Sequence, residues 1–81
     1  MIYRVVWPEP LWDVLQELSA RERDQILSKV DYLEMFPRMY PICTRGRFRG
    51  HRWFLAGNWL VFYRVVDEEV FMRAIWPSRI P

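Results

Sequence analysis

The residues best suited to chemistry form one short segment. It reads Arg45-Gly46-Arg47-Phe48-Arg49-Gly50-His51-Arg52-Trp53, with arginines alternating with glycines and aromatic residues. In an extended strand, Arg45, Arg47 and Arg49 would share one face, with a possible break at Gly50. Their guanidinium groups could hold phosphates while Phe48, His51 or Trp53 stacks on bases. The same residues could also seat an acidic partner segment, or could simply protect an edge strand by charge.

The charge distribution makes this segment part of a larger basic region. The chain of 81 residues has a net charge of +2. Residues 35–66 contain arginines and no acidic residue, whereas residues 1–34 have an excess of acids. Lys29 is the one lysine in the sequence, so the positive charge is carried almost wholly by arginine, which suits forked contacts to phosphate or carboxylate. The middle of the chain is therefore predicted to bind an anionic target or partner.

Other chemistry has little support in the sequence. With one histidine and one cysteine, it has no metal-ligand cluster, and it lacks a phosphate-binding glycine loop, so we predict no metal and no cofactor. A Cys43–His51 nucleophile pair is conceivable, although an incidental cysteine is the commoner case. Arg64 interrupts an apolar run, where it is either functional or paired with an acid from the helices. Arg79 follows the last predicted strand, as a site residue or a tail cation.

The hydrophobic pattern predicts the elements that would position these residues. Residues 2–7 are β-branched and aromatic and end at Pro8, which is typical of a strand. Two amphipathic helices follow, the second beginning at a capping box formed by Ser19 and Glu22 and ending at Pro37. Three more strands are predicted at residues 47–55, 59–66 and 70–76, and the central one is apolar enough to be covered on both faces. The predicted fold is α+β in the order β-α-α-β-β-β, a helical hairpin packed on an antiparallel-rich sheet within a single domain, 1–81.

Composition also gives an expectation about the compartment. One cysteine excludes an internal disulfide, which fits a reducing environment. No secretory leader and no apolar run of about 20 residues is visible, so we expect a cytoplasmic protein without membrane contact.

The whole chain resembles the RelE/ParE toxin superfamily, the toxic halves of bacterial toxin–antitoxin pairs. The resemblance depends on Tyr3–Trp7 before a helical hairpin, Phe36-Pro37 at the helix end, and His51-Arg52-Trp53-Phe54. It depends most on Gly57-Asn58-Trp59-Leu60-Val61-Phe62-Tyr63-Arg64-Val65-Val66-Asp67, followed by Val70–Ile75 and Arg79. The run from Leu60 to Val65 looks more like ParE, since RelE-like members have an arginine after the aromatic residue, where this chain has Leu60.

The resemblance implies a partner and two possible targets. A cognate antitoxin would neutralise the protein. A ParE-like member would arrest growth by binding DNA gyrase, and this is the preferred interpretation. A RelE-like member would be a ribosome-dependent mRNA endonuclease, and a non-toxic binding module of the same fold is a third possibility. The predicted binding residues are Arg45, Arg47, Arg49, Arg52, Trp53 and Arg79; for a nuclease, the catalytic candidates are Arg52, Arg64, Arg79 and His51.

Overall fold

The computed structural model describes residues 2–79 and contains two helices and four strands in the predicted order. The elements are β1 (Arg4–Val6), α1 (Glu9–Glu17), α2 (Ala20–Leu33), β2 (Arg52–Ala56), β3 (Trp59–Val66) and β4 (Glu69–Pro77). The α+β prediction is thereby confirmed. The exception is the first part of the predicted strand 47–55, because β2 begins only at Arg52 and residues 47–50 form a turn.

The strands form one mixed sheet in the order β1-β4-β3-β2. β2, β3 and β4 are an antiparallel meander, and β1 pairs in parallel with β4 through Val6 and Phe71. A parallel neighbour needs a crossover, which the two helices supply. Two-residue turns join the meander, and Gly57 begins the first of them with φ of 59°, as a hairpin turn with glycine at its first central position requires.

Both helices cover the same face of the sheet. Leu15 of α1 and Ile26, Val30 and Leu33 of α2 are fully or almost fully buried there. They pack with every second residue of the strands, including Phe54, Val61, Tyr63, Val70 and Met72. Burial of these side chains is the main stabilising contribution in so small a domain.

The capping box of α2 also ties the helix to the sheet. Ser19 Oγ accepts from the Glu22 backbone N–H at 3.2 Å, and the Glu22 carboxylate accepts from the Ser19 backbone N–H at 3.2 Å. The second carboxylate oxygen accepts from Trp59 Nε1 at 2.7 Å. The Trp59 bond, followed by those from Ser19, lowers the pKa of Glu22 below its ordinary value. The start of α2 is thereby fixed against the start of β3.

The other face of the sheet is called the open face here. Along each strand, the residues of this face alternate with the buried ones or pair with residues of a neighbouring strand that alternate in this way. They are Trp53, Leu60, Phe62, Arg64 and Trp76. Arg64 is exposed on this face, so the prediction that β3 is covered on both faces is wrong towards its end. β4 has a bulge opposite Phe62 and Tyr63, which pair with Ala74 and Met72, so Arg73 is left as the extra residue.

Candidate functional site

A loop at residues 43–51, called the basic loop, carries three of the predicted site arginines. It is closed at its base by backbone hydrogen bonds from Cys43 N–H to His51 O at 2.7 Å and from Gly50 N–H to Cys43 O at 2.8 Å. Gly46 and Gly50 have φ of 74° and 89°, values that other residues rarely adopt. These two glycines let the chain reverse within the loop, which explains why the segment does not continue as the predicted strand.

Phe48 fastens the basic loop to the open face. Its ring stacks on Phe62 with centroids 4.2 Å apart, and it meets Trp76 edge-on at 6.0 Å and His51 at 5.8 Å. Offset and edge-on aromatic contacts of this kind add to the free energy gained by burial. Phe48 is therefore an anchor for the loop, and it is not free to stack on a base in this conformation.

Around this anchor the loop arginines point into solvent. Arg45, Arg47 and Arg49 are all exposed, and the Arg47 guanidinium lies over the Trp76 ring at 5.8 Å. The prediction that they project from one face of a strand is wrong, because the loop turns between them. They still form one exposed basic region beside the open face, and their role in binding remains a prediction.

Arg52 has a different environment. Its Nη1 donates to the backbone oxygen of Tyr40 at 2.8 Å and of Arg38 at 3.3 Å, and the side chain is half-buried. Nearby, the Tyr63 hydroxyl donates to Pro37 O at 2.8 Å, and burial raises the pKa of Tyr63 to about 12. Arg52 and Tyr63 thus hold the chain segment after α2 against the sheet.

This geometry predicts a structural role for Arg52. We expect Arg52→Ala to lower the free energy of unfolding by about 2 kcal/mol, because the carbonyls of Tyr40 and Arg38, the first of them partly buried, lose a charged donor. Such a loss should lower Tm by roughly 10 °C in a domain of this size. The matched variant Arg49→Ala removes an exposed arginine and should change stability by less than ~0.5 kcal/mol. Equal Tm values for the two variants, measured by circular dichroism, would contradict the structural role.

An apolar cleft of about 500 Å³ lies between the basic loop and the sheet. It is called the Trp53 cleft here and is lined by Pro41, Ile42, Cys43, Thr44, Arg45, Trp53, Leu60 and Phe62. The Cys43 thiol donates to Arg45 O at 3.1 Å, and the two buried ring nitrogens of His51 have no hydrogen-bond partner among residues 2–79. The conceivable Cys43–His51 nucleophile pair is therefore not formed.

A second cleft of about 440 Å³, called the Arg64 cleft, opens further along the same face. Its lining residues are Pro8, His51, Arg64, Val66, Phe71, Met72 and Arg73. Within residues 2–79, neither Arg64 nor Arg73 has a hydrogen-bond or ion-pair partner, so the alternative that Arg64 pairs with a helix acid is wrong. Sequence reasoning missed Arg73, because the sequence does not show the register of β4 on β3 that places Arg73 near Arg64.

Arg79 lies at the end of the sheet that is opposite to the Arg64 cleft. It follows Pro77, which pairs with Trp59, whereas Arg64 is five residues further along β3. At ~3.4 Å per residue, this separates the two along the strand by about 17 Å. Of the residues named for a nuclease, the structure brings His51 and Arg64 into one cleft, whereas Arg52 binds backbone oxygens and Arg79 stays apart.

Some chemical classes lack support among the residues that the structure describes. No group of three or more His, Cys, Asp or Glu side chains within 2–79 could hold a metal ion. Neither helix has the length and apolar character needed to cross a bilayer.

Comparison with solved structures identifies the fold as RelE-like. The chain is similar to archaeal RelE in the RelE–RelB complex from Pyrococcus horikoshii OT3, with a TM-score of 0.77 and 22% identity over 96% of this chain and 97% of that one. It is also similar to a mutant of the E. coli toxin RelE in the free state, with a TM-score of 0.68 and 18% identity over 96% of this chain and 85% of that one. No family model and no curated protein matches the chain. At these identities the similarity establishes the fold alone, which has the predicted β-α-α-β-β-β order.

Proposed function

We propose that this protein is the toxin of a toxin–antitoxin pair, a RelE-like fold that arrests growth by binding its target through the open face. The observation that carries the proposal is the full-length similarity to RelE toxins, combined with an exposed basic loop held on the open face by Phe48. One of the neighbours is described as a RelE–RelB complex. A protein antitoxin is therefore the proposed partner, and an acidic segment would match the charge of the loop.

Binding, with DNA gyrase as the target implied by the ParE-like third strand, is the preferred mode of action. Cleavage of a phosphodiester needs a group that accepts a proton as well as cations that stabilise the phosphate. The open face has cations in abundance. His51 is its one imidazole, and both ring nitrogens are buried. Inhibition by contact needs no proton transfer, only a shaped basic and aromatic surface.

Ribosome-dependent mRNA cleavage is the second candidate. It is favoured by the two RelE structures and by the position of His51 beside Arg64 and Arg73. Arginines alone stabilise developing charge on a phosphate, and opening of the basic loop would expose the imidazole. The two candidates differ in what the purified protein does to its target.

The test combines growth with two biochemical assays. Expression of the protein in a bacterial host should arrest growth, and co-expression of the small gene beside it should restore growth. Normal growth at confirmed soluble expression would contradict the toxin proposal. Purified protein should inhibit supercoiling by gyrase and leave mRNA on programmed ribosomes intact. Codon-positioned cleavage of ribosome-bound mRNA that disappears in Arg79→Ala would replace the preferred mode by the second candidate.

A further inference from the structure

The Arg64 cleft carries positive charge that no other residue within 2–79 pairs with. Arg64 and Arg73 come from neighbouring strands, are both exposed, and have no ion-pair or hydrogen-bond partner within residues 2–79. No acidic residue is among the residues lining the cleft. Two unpaired guanidinium groups that line one cleft repel each other, and an anion bound by both would offset that repulsion.

The acids nearest in sequence belong to a different cleft. Asp67, Glu68 and Glu69 line a surface with Ile2 and Arg4, beyond the end of β3. Glu69 is also engaged, because its carboxylate accepts from the Arg4 guanidinium, with the Arg4 Nε at 2.8 Å. These carboxylates therefore do not neutralise the positive charge of Arg64 and Arg73 inside the Arg64 cleft.

The backbone explains how the second arginine reaches the cleft. Arg73 lies two residues after Phe71, which pairs with Arg64, so strand alternation places both arginines on the open face. The chain after β1 runs past the same point, because Val6 pairs with Phe71 and Pro8 lines the cleft. The β4 bulge then leaves Arg73 as the extra residue, without a residue of β3 directly opposite it.

The remaining lining suits a ligand with an apolar part. Phe71, Val66 and Pro8 form apolar walls, and a volume of about 440 Å³ lies within the range of about 300–1,000 Å³ that is usual for small-molecule sites. His51 also lines the cleft, and its buried ring nitrogens lack any partner within residues 2–79. An unpaired buried polar atom costs free energy, and an anion oxygen at the inner wall would give a rotated imidazole a partner.

We propose that the Arg64 cleft binds the phosphate of a nucleotide, with Arg64 and Arg73 on the phosphate oxygens and Phe71 and Pro8 against the sugar or base. Phosphate is favoured over a single carboxylate because its several oxygens and greater charge can engage two guanidinium forks at once. The nucleotide is either free or one unit of a single strand whose other phosphates lie along the adjoining basic loop. The inference does not depend on toxicity or on gyrase as the target.

Binding is measured on the purified full chain at low salt with three probes: inorganic phosphate, adenosine monophosphate and a fluorescent eight-residue single-stranded oligonucleotide. We expect the mononucleotide or the oligonucleotide to bind. Competition by the mononucleotide would identify a free ligand, and binding of the oligonucleotide alone would identify a strand; both support the site. Binding of none of the probes would overturn it.

Paired variants locate the site. We expect Arg64→Gln and Arg73→Gln each to weaken binding about tenfold, as loss of a charge-assisted contact should. For the oligonucleotide, each should also reduce the salt dependence by about 0.7 in the logarithmic slope. The control Arg21→Gln/Arg23→Gln removes the same total charge as the double Arg64→Gln/Arg73→Gln variant, from α2 on the opposite face, and should weaken binding far less.

A second measurement separates a built site from general attraction. The imidazole resonances of His51, the one histidine of the chain, should shift on addition of the bound probe and should not shift in the double Arg64→Gln/Arg73→Gln variant. If the control and the double variant lose affinity equally and the His51 resonances do not move, the binding is non-specific and the proposal is wrong. Loss of toxicity does not enter either readout, so failure of the toxin proposal would be seen separately.

Discussion

Replacing two exposed arginines of the basic loop should abolish growth arrest without unfolding the protein. Arg47 and Arg49 point into solvent, and the Arg47 guanidinium lies over the Trp76 ring. Removal of both charges in Arg47→Gln/Arg49→Gln takes away attraction to the target but breaks no hydrogen bond with the rest of the domain. We expect binding to the target to weaken by about 100-fold, roughly tenfold for each arginine, with Tm unchanged within error.

The control variant has the same net charge as the loop variant. Arg21→Gln/Arg23→Gln also removes two arginines, from the first turns of α2 on the far side of the sheet. Colony formation after induction, at equal soluble protein, compares the two variants. If the loop variant keeps its toxicity, the loop arginines do not bind the target and only protect the sheet edge. If both variants lose toxicity equally, the total charge of the protein determines toxicity.

Phe48→Ala should be the most damaging substitution in the loop. The Phe48 ring contacts Phe62, Trp76 and His51, and it is the loop's aromatic anchor on the open face. Truncating a buried Phe costs about 3–5 kcal/mol, and since Phe48 is only half-buried we expect ~2 kcal/mol. The freed loop must also pay ordering entropy on binding, so growth arrest should weaken although every arginine is present.

Phe36→Ala is the matched control for this prediction. Phe36 lies just after α2 with 56% of its surface exposed, and the same truncation there should cost less than ~0.5 kcal/mol. Urea unfolding gives the stabilities, and hydrogen exchange of the amides of residues 44–50 reports the loop directly. Unchanged exchange in the Phe48 variant would show that the backbone bonds at Cys43 and His51 hold the loop without the ring.

Much of the fold could be predicted from local chemistry. The capping box at Ser19 and Glu22 fixes the start of α2, because side-chain oxygens satisfy backbone N–H groups only a few residues away. The largely apolar run from Trp59 to Val66 identifies an inner strand of the sheet. The density of arginine between residues 35 and 66 is likewise a property of the sequence, and it predicts an anionic partner whatever the positions of these residues in the fold.

The candidate site could be predicted only in part, because its geometry depends on contacts between distant residues. Arg52 has the same side chain as its neighbours in the arginine-rich segment, and only its approach to the carbonyls of Arg38 and Tyr40 makes it structural. Phe48 becomes an anchor because two glycines reverse the chain over Phe62. The sequence by itself therefore determined the order of the elements and the sign of the charge, which depend on neighbouring residues. Only the tertiary structure decided which arginines are free, since the pairing register that brings Arg64 beside Arg73 is set by packing of the whole sheet.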